Sequence, residues 1–508
     1  MKTATIHRPS PIGYRVTRTC LSTAAALALT ISSNAFAVVD LSYLQGLLAA
    51  TPDGGWVKAS ASTPAGNFSS AWATAAQGAV DPSSTYSYTP GIVRAWSSFA
   101  WDSTSGQLLI YGGGHANYSG NEVYSWSGAT GEWSRASLPS RLSLTPAYPG
   151  DVRSFTVVDN AAPQSSHTYN GNIYLPVNNM MLTLGGGAYN TGDVYQTLAA
   201  NGDLQRAGPW LFDVTKADGN KVGGTSGSGY GTDSNGAYNS VGGNMWTNRQ
   251  GQWSGTPEPI RYRNNTTAYR TEGGKDVVYL TADSGGPSLG GFPTLYRYTV
   301  GDVRNGGNDT WEIVGESSVG GGQGAAALDS GHNLYVQTTD NAGEIDLGVW
   351  DLSHPTGVGV SLQKGVKLFN ADGSGFVMTD RFGISFDKAS GKLLLWDGTD
   401  RGTLYETQAV LNADGSIATA WTVNKLSSST LTQPGGSFAT GVQGKWKYVD
   451  ALGAFVALNE IDPTSLDAEV WLYKVAGASV VPEPATYALW FLGLGLTLLR
   501  LQSRRAPQ

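Results

Sequence analysis

Apolar and polar positions alternate in short bursts along most of this chain, and each burst ends at a turn. Between Trp96 and Ser137 four bursts follow one another: Trp96-Ser97-Ser98-Phe99-Ala100-Trp101, Gln107-Leu108-Leu109-Ile110-Tyr111, Glu122-Val123-Tyr124-Ser125-Trp126 and Glu132-Trp133-Ser134-Arg135. The breaks are Asp102-Ser103-Thr104-Ser105-Gly106, Gly112-Gly113-Gly114-His115-Ala116-Asn117 and Gly128-Ala129-Thr130-Gly131. Short β-prone runs bounded by such turn residues predict strands, so this segment predicts a four-stranded antiparallel meander.

The pattern recurs. Tyr169 to Pro176, Met181 to Gly187 and Trp210-Leu211-Phe212-Asp213 form a second unit, and Val277 to Leu280, Leu295 to Tyr298 and Trp311 to Val314 a third. Leu334-Tyr335-Val336 and Val349 to Leu352 belong to a fourth. Phe382 to Phe386, Leu393 to Trp396 and Trp421-Thr422-Val423 build a fifth; Trp446 to Val449, Ala454 to Leu458 and Val470 to Tyr473 the last. One small sheet leaves two faces and two edges bare, and repetition around an axis covers them. The expectation is an all-β chain folded as a β-propeller of six four-stranded blades.

Two irregular stretches bear on that expectation. The last unit lacks a fourth strand after Tyr473, while Gly55-Trp56-Val57-Lys58-Ala59 near the start resembles a fourth strand without a sheet. Pairing the two would close the ring with an N-terminal strand. Residues 221–257, rich in Gly, Ser, Thr and Asn and holding Trp246 and Trp253, are expected to be a long loop between units two and three.

Composition narrows the chemistry. The chain has 68 glycines, 16 tryptophans and one cysteine, and its net charge is −7. Seven of its basic residues (Lys2, Arg8, Arg15, Arg18, Arg500, Arg504 and Arg505) sit near the two ends beside a single acid, Glu483, so the body between is more acidic still. A nucleic-acid partner, which calls for a basic patch, is disfavoured. Cys20 lies within the first 37 residues, so a body without them has no disulfide, thiolate metal site or cysteine nucleophile.

The ends read as addresses. A basic start, the apolar run from Leu21 to Ile31 and the small-x-small site Ala35-Phe36-Ala37 form the pattern of a secretory signal peptide, residues 1–37, cleaved after Ala37. The other end runs Val481-Pro482-Glu483-Pro484, then an almost wholly apolar 487–499, then Arg500, Arg504 and Arg505. Positive charge after an apolar segment favours the cytoplasmic side. This order resembles the PEP-CTERM sorting signal, here residues 478–508, with Pro482, Glu483, Pro484, Arg504 and Arg505 as its marks. The resemblance implies an exosortase as partner and a tail held only transiently in the inner membrane through 487–499. It also implies export to the cell surface or extracellular matrix of a Gram-negative-type bacterium that makes extracellular polysaccharide.

Between the ends, 38–91 is expected to be an N-terminal segment carrying the closing strand, and 92–477 the propeller. The Gly-Gly-Gly after the second strand, the aromatic third strand and the Trp opening the fourth resemble kelch repeats, especially the galactose-oxidase-like group, best over 92–137. A copper oxidase of that type needs a cysteine cross-linked to tyrosine, which the body lacks.

In such a ring, the loops joining strands two and three and the starts of the innermost strands meet at one mouth. That brings together Arg94, His115, Asn117, Tyr118, His167, Asp283, Arg381, Asp400, Arg401 and Glu460 as candidate ligand-binding residues. Arg381 and Arg401 suit a carboxylate or sulfate of an acidic sugar, Trp96 and Tyr118 suit stacking on a sugar ring, and Asp400 or Glu460 suits acid–base work on a glycosidic bond. No compact catalytic motif and no His-x-His spacing is present, so no catalytic residue, metal or other cofactor is expected. Asn370-Ala371-Asp372-Gly373 and Asn412-Ala413-Asp414-Gly415 are too short for a calcium cage and read as turns. The expectation is an exported protein that binds carbohydrate or protein at the mouth; the alternative is a carbohydrate-active hydrolase or lyase using carboxylates there.

Overall fold

The computed structural model describes residues 39–61, 63, 66–73, 91–115, 117–143, 156–157, 160–188, 195–198, 204–206, 208–229, 241–255, 261–283, 293–316, 323–339, 345–353, 363–379, 382–461 and 467–477. All lie in one unit, Val39–Gln508. The signal-peptide and sorting-tail readings, with Arg381, lie outside the described residues.

The first sheet is the predicted meander, Phe99–Asp102, Gln107–Ile110, Tyr124–Ser127 and Trp133–Arg135, each strand antiparallel to the next. The second sheet joins Asn172–Leu175, Met180–Thr183, Trp210–Asp213 and Trp246–Asn248. The expected loop 221–257 is therefore corrected: Trp246 opens an outer strand. Its polar neighbours hide the strand in the sequence, but its indole is buried against Phe212 and Tyr111, at 5.0 and 5.2 Å between ring centroids. The third sheet has four antiparallel strands, Arg261–Glu272, Lys275–Asp283, Pro293–Thr299 and Asp309–Glu316, with Trp253–Gly255 added in parallel beside Asp309–Trp311.

The next two meanders are joined. Ala326–Asp329, Leu334–Thr338, Leu347–Asp351 and Gln363–Asn370 form one, and Gly383–Asp387, Lys392–Trp396, Leu404–Thr407 and Ala420–Leu426 the other. The outer strand Gln363–Asn370 changes partner partway: Gln363 to Val366 pair with their own meander, while Lys367 to Asn370 run parallel to Ala420 to Val423. The result is an eight-stranded, nearly closed barrel beside four propeller-like blades.

The last sheet answers the question of the missing strand. Trp446–Val449, Ala454–Ile461 and Ala468–Lys474 are completed by Trp56–Lys58, with Trp56 opposite Tyr473 and Lys58 opposite Trp471. The N-terminal segment does supply that sheet's fourth strand.

Burial follows from this stacking. Ala454–Ile461, a second strand covered on both faces, is buried at all eight positions, whereas the outer strand Ala420–Leu426 buries Trp421 and Val423 and exposes Ala420, Thr422 and Asn424. Hydrophobic clusters fill successive gaps between sheets. Leu109 and Tyr111 meet Met181 and Phe212, Leu182 and Leu211 meet Val278 and Leu280, and Tyr279 and Leu295 meet Tyr335 and Trp350. Val336 and Val349 then meet Ile384 and Leu395 inside the barrel, Trp396 meets Trp446 and Trp471, and Val456 and Leu458 return to Phe99 and Leu108. The order of packing closes on itself. Each fully buried indole or phenol removes about 150–250 Å² from water, about 4–6 kcal/mol before chain entropy is set against it.

Candidate functional site

Glycine builds the first wall. Gly112 and Gly113 have φ of +128° and +95°. A Cβ on Gly113 would meet the backbone of Gly91 and Ile92, and one on Gly114 that of Ser165 and Ser166. Only glycine lets three chain segments approach this closely. That approach carries His115 and Asn117 to His167, which is held in a short strand opposite Gly187.

His167 is almost fully buried. Its Nε2 stands 3.0 Å from Asn117 Nδ2, and the His115 ring meets it edge-on at 5.2 Å. Burial, aided by the nearby His115, pulls the imidazole down to about 3. It is neutral at any physiological pH. A neutral ring facing an amide donor accepts through Nε2, so Asn117 donates to it.

Trp96 lies on the other side of His167, with centroids 4.6 Å apart and planes inclined by 30°. The indole is half-buried, and its Nε1 donates to Gln323. Its backbone has φ of +43°, costly for a bulky side chain. Among the described residues eight non-glycine residues have positive φ. Asparagines account for four, which suits tight turns. The others are Trp96, His115, Tyr169 and Gln443, and all border this region: Tyr169 N donates to Trp96 O, and Gln443 Nε2 to Thr440 O. Strain collected in one place is a mark of functional sites.

The segment from Gly436 to Lys445 forms the opposite wall. Thr440 binds the loop before the first sheet twice, donating to Arg94 O and accepting from Trp96 N. Glu460, 8% exposed, pairs with Arg94 Nε at 2.9 Å through Oε1 and accepts Ala439 N at 2.9 Å through Oε2. Lys445 is wholly buried, donates to Gly441 O and sits 5.3 Å from the Phe438 centroid. Burial pulls its ammonium down to about 7 against the attraction of Glu460. Arg401 lies 5.4 Å from the same ring and donates to Asn459 Oδ1 at 2.5 Å.

Arg401 thus meets Asn459, whose chain neighbour Glu460 pairs with Arg94; Thr440 bridges Arg94 and Trp96, and Trp96 leads on to His167 and His115. Two candidates have their polar groups engaged in local structure. Tyr118 is corrected: it is 1% exposed, and its hydroxyl donates to Glu122 beneath the first sheet, so no ligand can stack on it. Asp400 is exposed but holds its own turn, accepting Thr403 Oγ1 at 2.7 Å and Gly402 N at 3.3 Å. Asp283 ends a strand of the third sheet, and its side chain lies outside the description. Sequence reasoning missed Gln323, Asn459, Phe438, Thr440 and Lys445; the Gly435-Gly436 pair ahead of Phe438 was the one local sign of a close approach.

The two Asn-Ala-Asp-Gly-Ser segments are matching turns, with Asp372 and Asp414 each accepting from the following serine's backbone and hydroxyl. Among the described residues no three His, Cys, Asp or Glu side chains gather as a metal would require, and no helix is long and apolar enough to cross a membrane.

No protein-family profile matches the chain, and comparison with curated proteins finds no match. Among solved structures, it is similar over 75% of its length to a fungal alcohol oxidase of the AA5 family in complex with copper, at 10% identity and a TM-score of 0.30. That match spans 62% of the oxidase. A β-xylosidase aligns over 75% of this chain and 92% of its own, at 8% identity and a TM-score of 0.28. An ancestral GH74 enzyme aligns over 76% and 42%, at 10% identity and 0.25. Such likenesses carry no argument about activity, and the propeller-like description rests on the strand pairings themselves.

Proposed function

We propose that this chain is a carbohydrate-binding protein whose ligand sits at the mouth bounded by Trp96, His115, Asn117, Arg94 and Arg401. The observation that carries the reading is Trp96, a partly exposed indole held at an unfavourable φ, backed by a neutral imidazole and braced by a bond to Gln323. Nothing in packing a core calls for an aromatic ring kept in that conformation with part of its surface open to water. Arg94, two residues before Trp96, and Arg401, against Phe438 and Asn459, suit sugar hydroxyls or an acidic substituent.

Binding is favoured over hydrolysis by the state of the carboxylates. Glu460 is committed to Arg94 and the Ala439 amide, and Asp400 to its turn. In keeping with the first reading, the two meanders of the barrel count as separate blades, giving six of kelch type. Their facing sides pack through Val336, Val349, Ile384 and Leu395 as the other sheets pack on their neighbours. The chain is exported by residues 1–37 and sorted by an exosortase through 478–508, which suits a protein working on extracellular polysaccharide.

The test incubates the purified body with a panel of polysaccharides and measures both retention and new reducing ends. Retention without product, weakened about tenfold or more in Trp96→Ala, is the expected result, since truncating a central aromatic contact costs over about 1.4 kcal/mol. Product that disappears in Glu460→Gln would establish hydrolysis instead. Retention unchanged in Trp96→Ala would remove the mouth from the reading.

A further inference from the structure

We infer that the mouth is a blind cup and takes the end of a glycan chain, not its interior; this rests on the carbohydrate reading above. Two tiers of bonds cross the axis. In the upper tier, Trp96 leads into the first sheet and Gln323 into the first strand of the barrel. In the cyclic order of packing the second and third sheets separate these elements on one side, and the rest of the barrel with the last sheet on the other. Their bond therefore spans the opening and does not run along its rim.

The lower tier is Asn170, which leads into the second sheet and is 3% exposed. Its Oδ1 accepts Thr267 N of the third sheet at 2.7 Å and Ala326 N of the barrel at 3.4 Å. On the last sheet's side, a Cβ added to Gly444 would stand only 2.8 Å from Asn170 Nδ2. This side chain thus abuts elements from three sheets besides its own, which leaves no passage for a pyranose ring between them. His167 covers one side of the indole, with centroids 4.6 Å apart.

A closed floor decides how a polymer can bind. Arg94 and His115 are exposed while Trp96 is recessed behind them. A sugar that reaches the indole face must enter from above, and a chain continuing in both directions would have to pass through the floor or the rim. A terminal residue meets neither obstacle.

The experiment uses the full exported body and a polysaccharide retained in the panel, compared with the same polymer partly hydrolysed to one tenth of its mean length. Binding at ends makes the half-saturating mass concentration fall about tenfold, in step with the tenfold rise in ends. A closed cyclic glycan of the same linkage should then bind no more than background. Equal half-saturation per unit mass, or a cyclic glycan that competes as well as a linear one, would overturn the blind cup while leaving carbohydrate binding intact. Failure to retain any polymer or fragment would overturn both.

Discussion

The indole of Trp96 rests 4.6 Å from the imidazole of His167, centroid to centroid, and that imidazole is buried and neutral. The folded state depresses the ring from an ordinary value of 6.5 to about 3. Between these values the unfolded chain holds a proton that the folded chain does not, so His167 costs stability as pH falls through 6.5. Its ring resonances should stay constant from pH 7 down to pH 4.5. A midpoint near pH 6 for that ring would refute the assignment.

Glu122 gives a slope of opposite sign. It is fully buried, and Tyr118 and Tyr124 donate to its Oε1 at 2.5 and 2.8 Å. Burial raises its carboxyl above the ordinary 4.5. The folded state keeps a proton that the unfolded state releases, so its contribution is present below 4.5 and is lost as pH rises through the raised value. Glu122→Gln retains the acceptor oxygen. It should therefore gain melting temperature relative to the parent as pH rises from 4.5 to 8, and parallel pH profiles would contradict this.

Lys445 behaves as a buried base. From about 7 to its ordinary 10.5 the unfolded chain carries a charge that the folded chain has shed, so stability from this group rises with pH across that window. Lys445→Met should flatten the rise, read as unfolding midpoints in urea between pH 7 and 10. An unaltered slope would show that Lys445 stays charged.

Arg249 and Asp309 form an ion pair at 2.6 Å with side chains 5% and 1% exposed, and Asp309 also accepts Tyr298 Oη and Gly301 N. Removing one partner of such a pair leaves a buried charge, at a cost of about 3–5 kcal/mol. Arg249→Met should lose that much in urea unfolding. A loss under 1 kcal/mol would mean that the remaining donors satisfy Asp309.

Trp56 lies 5.9, 5.7 and 5.1 Å from Trp396, Trp446 and Tyr473, ring to ring. Trp56→Ala should cost about 3–5 kcal/mol, the usual penalty for emptying a core aromatic site. An unchanged unfolding midpoint would mean that the closing strand is dispensable.

The legible parts of this fold were those fixed by local chemistry. The strands of the first sheet lie within three residues of the predicted runs, because Gly106, Gly128 and Gly131 mark its turns and Trp101, Tyr124 and Trp126 its faces. The orphan at Trp56 was visible because its pattern repeats that of a missing outer strand. The parallel seam between Lys367 and Ala420 was not, since it depends on where two meanders come to rest and on no residue within either. The site divides in the same way. The glycine run pointed to His115 and Asn117, whereas Tyr118, next along, turns inward to Glu122, a direction that spacing alone does not encode.

Trp56 and Tyr473 face each other on paired strands from opposite extremities of the body. During synthesis the opening segment must therefore wait, unpartnered, until nearly everything after it has emerged. Any nascent or truncated form ending before Ala468 would present both an unpaired hydrophobic ribbon and an unsealed gap, which a protease or chaperone could distinguish from the finished molecule. Completion of the ring thereby doubles as a record that the whole body has been made.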